Sequence, residues 1–104
     1  MKKLFLLLSL NLILCILYSS CTKKKWKCDE TPSYKTDIQP LLSAHCGKCH
    51  SWDNYADAKA LAVNGQLKDK TINTREMPPA GEQRLTNKQR KKIFCWIEQG
   101  AMDN

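Results

Sequence analysis

The chain contains no apolar run of the ~20 residues that a bilayer-spanning helix needs. Its one long run, Leu4 to Leu17, is about fourteen residues and is interrupted by Ser9 and Asn11. There is no internal repeat, and no period-two alternation long enough to read as a strand, which argues against a β or α/β architecture. Histidine is scarce: His45 and His50 are the two present, and they are not spaced as a metal-binding pair. Acids are outnumbered, 10 against 17 bases, for a net charge of +7. The bases form no single stripe interleaved with aromatics, so nucleic-acid binding is not expected. With 104 residues there is room for one domain.

What is present begins with an export signal. Met1-Lys2-Lys3, the apolar run and Ser19-Ser20 give charged, apolar and small-residue regions in order. Tyr18-Ser19-Ser20-Cys21 resembles the cleavage site of a bacterial lipoprotein. That resemblance implies removal of residues 1–20 and a lipid on Cys21, and so a chain held on a membrane of the bacterial envelope, facing the periplasm. An ordinary signal cut nearby, leaving Cys21 as a free thiol, is the alternative. Cys15 follows bulky Leu14 and would leave with the signal. Lys2 and Lys3 leave too, so 15 bases then face 10 acids, a net +5. Four of those bases lie in Lys23-Lys24-Lys25-Trp26-Lys27, within a tether over residues 21–33. There each charge adds ~1 kcal/mol of attraction to an anionic membrane surface. The remaining domain, residues 34–104, is small enough to need a staple such as a disulfide, metal or cofactor.

That domain reads as all-α, with three to four short helices. A first helix is expected from Thr36, with Gln39 in capping-box spacing, Pro40 in the first turn, and Ile38, Leu41, Leu42 and Cys46 on one face. Asp53 is expected to cap a short helix over residues 54–62, with Tyr55, Ala58 and Ala62 on a face, stopped by Asn64-Gly65. Residues 66–74 show no clear period, although Leu67 and Ile72 should point inward. Met77-Pro78-Pro79-Ala80-Gly81 is a stiff loop. The last helix has Thr86 and Gln89 in capping-box spacing, Ile93, Ile97 and Ala101 on one face, and Gly100 at its end. Lys88, Arg90, Lys91 and Lys92 are expected to face outward or to snorkel.

The first helix runs into Cys46-Gly47-Lys48-Cys49-His50. Two cysteines three apart on a helical turn project to the same side, where their thiols can add across two vinyl groups of a haem. The adjacent histidine is then held under the iron. The spacing is that of c-type haem attachment. Three rivals exist. Zinc would need a fourth ligand from Cys28, Cys95 or His45, and neither a second Cys-x-x-Cys nor a histidine pair supports it. A thioredoxin-like redox pair would need a βαβ pattern. The third is a structural disulfide between Cys46 and Cys49.

A haem bound only by His50 is half a site. Met77, Met102 and His45 are the candidates for the other side. His45 precedes Cys46 and is tied to the same side of the ring, and Met102 lies near a fraying terminus. Met77 follows His50 by enough chain to wrap a porphyrin edge, and two prolines stiffen its loop. The alternative is a loop methionine acting as filler.

Here the chain resembles a class I c-type cytochrome. The resemblance covers Tyr34 to Asn104. It rests on Cys46-Gly47-Lys48-Cys49-His50, on Met77-Pro78-Pro79, and on the closing Leu85-Thr86 followed by Ile93-Phe94-Cys95-Trp96-Ile97-Glu98-Gln99-Gly100-Ala101. Small haem lipoproteins of bacterial envelopes look similar. The resemblance implies a cytochrome c fold in which the first and last helices cross beside one covalent haem c, with His50 as proximal and Met77 as distal iron ligand. The chain departs from the pattern in having no proline between Ser51 and Glu76, so some other carbonyl is expected to orient His50. Trp52, Tyr55, Leu67, Ile72, Ile93 and Trp96 are expected near the ring.

Histidine–methionine ligation raises a haem potential and leaves no open position for substrate. The expectation is therefore an electron carrier with redox proteins as partners, no small-molecule substrate and no catalysis. The alternative is a haem sensor, or a catalytic or accessory module of a larger oxidoreductase, with a labile distal ligand. Cys28 and Cys95 remain. An even pair in an oxidising compartment points to a disulfide. Cys95, ~200° round the helix from Ile93, would face outward toward the Cys28 segment. Two separate thiols are the alternative.

Overall fold

The computed structural model describes residues 2–3 and 26–104. The expected signal (residues 1–20) and the expected lipid site Cys21 lie outside these residues, Lys2 and Lys3 apart. Among the described residues helices are the regular structure and there is no strand, in agreement with the all-α expectation. No helix among them is long and apolar enough to cross a membrane.

The first segment opens with a π-type turn, Tyr34–Ile38, and continues as α1, Gln39–Cys46. Its cap is Ser33, whose hydroxyl accepts from the Thr36 N–H, and not Thr36 as the sequence spacing had indicated. Ser33 wins because both its own polar groups are also satisfied. Its N–H donates to Asp37 Oδ2 (2.9 Å) and its hydroxyl to the carbonyl of Asn104 (2.7 Å). Gln39, freed from a capping box, donates from Nε2 to the carbonyl of Asp53. Pro40 is the second residue of α1 and, because the π-type turn runs directly into α1, lies inside the continuous helical segment and not in its first turn.

The second helix, α2, spans Tyr55–Val63. Asn54 caps it through Oδ1 on the Asp57 N–H (3.0 Å), a role expected of Asp53. Gly65, at φ 84°, ends the run in the left-handed region that glycine enters without steric cost. The ambiguous stretch that follows is a short helical turn α3, Gln66–Lys68, passing into a π-type turn, Asp69–Asn73. Leu67 and Ile72 are both buried there, as the pattern required. The closing helix α4, Asn87–Glu98, has the full capping box: Thr86 Oγ1 accepts from Gln89 N–H and Gln89 Oε1 accepts from Thr86 N–H.

The core gathers Ile38 and Leu42 from the first segment, Ala58 and Ala62 from α2, Leu67 and Ile72, and Ile93, Phe94 and Trp96 from α4. α4 packs on the Tyr34–Ile38 turn, and Lys92 pairs with Asp37 there at 2.6 Å. Tyr34 sits between Tyr55 and Trp96, with centroids 5.2 and 5.6 Å away. Asn104 closes the molecule on itself by accepting from the backbone N–H groups of Tyr34 and Lys35.

Two expectations about α4 are corrected. Arg90 is buried, not outward, with 6% of its surface exposed. Cys95 turns away from the Ile93–Ile97 stripe, but it is not exposed. The N-terminal segment covers it and Cys28 is disulfide-bonded to it, with Cα atoms 5.4 Å apart.

Candidate functional site

The end of α1 places the motif. Cys46 is its last residue and is buried, while Cys49 is exposed and His50 half-buried. The N–H groups of Cys49 and His50 both donate to the Cys46 carbonyl, at 3.2 and 2.9 Å, so the run coils tightly back on the helix end. Glycine at position 47 permits this. A Cβ there would lie 2.5 Å from the Ser43 carbonyl oxygen, closer than real Cβ contacts come. Cys46 and Cys49 are both free thiols, bridged neither to each other nor elsewhere. Burial, and secondarily the neighbouring Cys49, pushes the Cys46 thiol above its ordinary pKa.

These residues line one side of a cleft of about 230 Å³, and Met77, Pro78 and Pro79 line it as well. The Met77–Pro78 peptide is cis. Met77 is anchored through its N–H to the carbonyl of Lys70 (3.0 Å). The loop beyond it is tied back to the motif twice. His45 Nδ1 lies 3.0 Å from the carbonyl of Gln83, and Lys48 pairs with Glu82 at 3.2 Å. A second cleft of about 180 Å³, walled partly by Leu67 and Thr71, shares His50, Trp52 and Met77 with the first. Its lining is largely apolar. The two clefts therefore meet at the residues named as ligands from sequence.

Of the residues expected near a bound ring, Trp52 and Leu67 line these clefts. Tyr55 and Trp96 instead pack on Tyr34, and their polar atoms donate to the carbonyls of Ala101 and Met102. Ile72 and Ile93 belong to the buried core. Met102 is 61% exposed. Cys28 and Cys95 are occupied by their disulfide. Sequence reasoning missed the two ties across the cleft, because one partner is a backbone carbonyl and the other an ion pair between residues 34 apart.

Behind the second cleft lies another unforeseen support. Arg90 donates from Nε to the Thr71 carbonyl (3.0 Å) and from Nη1 to the Leu85 carbonyl. Burial, followed by the charges of Arg75 and Arg84, holds its guanidinium below its ordinary pKa. Arginine nevertheless stays protonated in proteins.

The rival readings of the motif need different donors. Among the described residues, no three His, Cys, Asp or Glu side chains gather as a group able to hold a metal ion, whereas structural zinc takes four. A thioredoxin-like pair needs a βαβ unit, and the described residues are helical. Two unbridged thiols, an adjacent imidazole and a thioether sulfur line one cleft, a donor set compatible with covalent haem. No family model matches the chain, nor does any curated protein or solved structure.

Proposed function

We propose that this protein is a one-electron carrier of the cytochrome c type, holding a single haem c. Cys46 and Cys49 would hold the group as thioethers, His50 would be the proximal ligand and Met77 the distal one. When bound, the haem supplies a one-electron iron couple whose potential histidine–methionine ligation raises. The observation that carries the reading is the shared cleft. The contiguous motif Cys46–His50 and the Met77 loop, 27 residues beyond His50 in sequence, line one cleft.

The chain's own residues have defined tasks in this reading. Gly47 lets the helix end coil so that both thiols and the imidazole reach the cleft. Pro78 and Leu67 would offer apolar contact to the ring, one from each cleft. The Lys70 carbonyl holds the backbone of Met77, and the His45 and Lys48 ties keep its loop against the motif. With His50 and Met77 both given to the iron, no position would remain for a substrate, which favours electron transfer to protein partners over catalysis. The proposal includes a lipid on Cys21 that tethers the domain to the bacterial envelope, facing the periplasm. The basic residues that follow it would rest on the membrane surface.

Expression of the full chain with a haem-attachment system tests the proposal. The expected product shows a Soret band and sharp reduced-state bands, and retains its haem after denaturation and solvent extraction. Cys46→Ala/Cys49→Ala protein should lose that covalent retention. A colourless wild-type product would overturn the reading.

A further inference from the structure

A ligating histidine normally has a hydrogen-bond partner on its second ring nitrogen, which sets the ring's orientation. Among the described residues no hydrogen bond reaches the His50 ring. The ring lies instead face to face on the indole of Trp52, with centroids 3.7 Å apart and planes 7° from parallel. A stack of this kind occupies the faces of the imidazole. The lone pair and the N–H of the ring lie in its plane, at the edges, so the stack itself blocks neither nitrogen.

The indole is itself held by its flanks. On one side, the carbonyl of Ser51 accepts from Asn54 Nδ2 (2.8 Å), the same side chain that caps α2. On the other, the carbonyl of Asp53 accepts from Tyr34 Oη and Gln39 Nε2, both at 2.9 Å. Trp52 is thus bracketed by two anchored carbonyls, one tied to α2 and one to the first helical segment. His50 is fixed at its backbone by the Cys46 carbonyl. With both backbones fixed, the stack determines the remaining freedom, the plane of the imidazole.

We propose that Trp52 is the positioning residue for His50, orienting the imidazole by a face contact where a hydrogen bond from behind would otherwise do so. The role rests on the haem reading above. It accounts for a chain that has no proline between Ser51 and Glu76 to present a carbonyl to the ring.

The test compares full-length wild type, Trp52→Phe and Trp52→Leu, each loaded with haem and oxidised. The spread of the haem methyl proton shifts in a ferric low-spin haem follows the plane of the axial imidazole together with the orientation of a methionine ligand. Trp52→Phe, which keeps an aromatic face, should preserve the wild-type pattern. Trp52→Leu should change it while leaving the Soret band and far-ultraviolet circular dichroism in place. An unchanged pattern in Trp52→Leu overturns the proposal. A measurement without any variant guards against misfolding: in the haem-free full chain, the His50 ring protons should be shifted upfield by the indole. Ordinary shifts there overturn the proposal as well. A chain that takes up no haem overturns the proposed function and the positioning role with it. The ring-proton shifts separate that outcome from a failure of the stack alone.

Discussion

Arg90 on α4 donates to the carbonyl of Thr71, 3.0 Å away, and Thr71 adjoins Lys70, whose carbonyl holds the N–H of Met77. The same guanidinium reaches Leu85, on the far side of the Met77 loop. A single buried cation therefore supports both flanks of the segment that carries Met77. Replacing Arg90 with Met keeps most of the volume but leaves two inward-facing carbonyls without their donor. With each hydrogen bond to a charged group worth ~1.5–3 kcal/mol, and part of the sum offset because Met needs no desolvation of a charge, the loss should be about 2–4 kcal/mol. Lysine at this position should restore little, since a single ammonium cannot reproduce the fork of guanidinium donors. Urea unfolding of Arg90→Met and Arg90→Lys checks this. A cost under about 1 kcal/mol would show the buried charge to be energetically idle.

The Cys28–Cys95 bridge joins positions 67 apart and pins the segment after the basic run onto α4. In the chain-entropy model a loop of this length is worth about 4 kcal/mol. The double variant Cys28→Ser/Cys95→Ala avoids both a stray thiol and a buried hydroxyl on α4. It should unfold at lower urea by that order of stability. Reductant should lower the midpoint of the wild type and leave the double variant where it is.

Much of this was legible from local sequence, and the failures have local reasons too. The capping box of α4 lies wholly within Thr86–Gln89, so spacing alone reveals it. At the head of α1, Ser33 and Thr36 both offer a capping oxygen. The choice falls to Ser33 through Asp37 and Asn104, the latter 71 residues away. At the next helix, Asp53 and Asn54 compete in the same way. Asn54 wins because its amide also reaches Ser51 and Asp57, while the Asp53 carbonyl is drawn to Tyr34 and Gln39. Arg90 reads as a surface base because its partners are backbone carbonyls, which leave no mark in a sequence. The candidate site was legible on one side because Cys46–His50 is contiguous, and on the other because two prolines flag the Met77 loop. The Trp52 stack was not, since ring orientation depends on anchors spread from Tyr34 to Asn54.

The Asp37–Lys92 pair gives a pH dependence of definite sign. The Lys92 ammonium, and next the Ser33 N–H, hold the Asp37 carboxyl below its ordinary pKa of 3.8. A group with a depressed folded-state pKa contributes stability that is fully present above its unfolded value and fades as pH falls through the folded one. The contribution should therefore be intact at pH 7 and decline below about pH 4. Asp37→Asn protein should melt below wild type at neutral pH, and the gap should narrow toward pH 2–3. Melting curves across that range check it, and a gap independent of pH would remove Asp37 from the acid response.

Met77 offers the sharpest test of the proposed carrier, because two readings of the residue diverge on it. As a distal ligand, its sulfur fills the sixth position. As filler, it merely packs the loop, which methionine does readily in irregular gaps. Both readings place it in the cleft wall beside Pro78, so burial alone does not choose. Met77→Ala in the haem-loaded protein should abolish the far-red sulfur-to-iron band of the oxidised form. It should also lower the midpoint potential, since methionine ligation raises it. Carbon monoxide should bind the reduced wild type slowly or not at all, and the variant quickly. Met77→Leu adds the decisive comparison. It refills the space without a donor sulfur, so a filler role predicts wild-type spectra, whereas ligation predicts the same loss as in Met77→Ala. Wild-type spectra and potential in Met77→Leu would take Met77 out of the ligand set and leave His50 as the axial residue supplied by the motif.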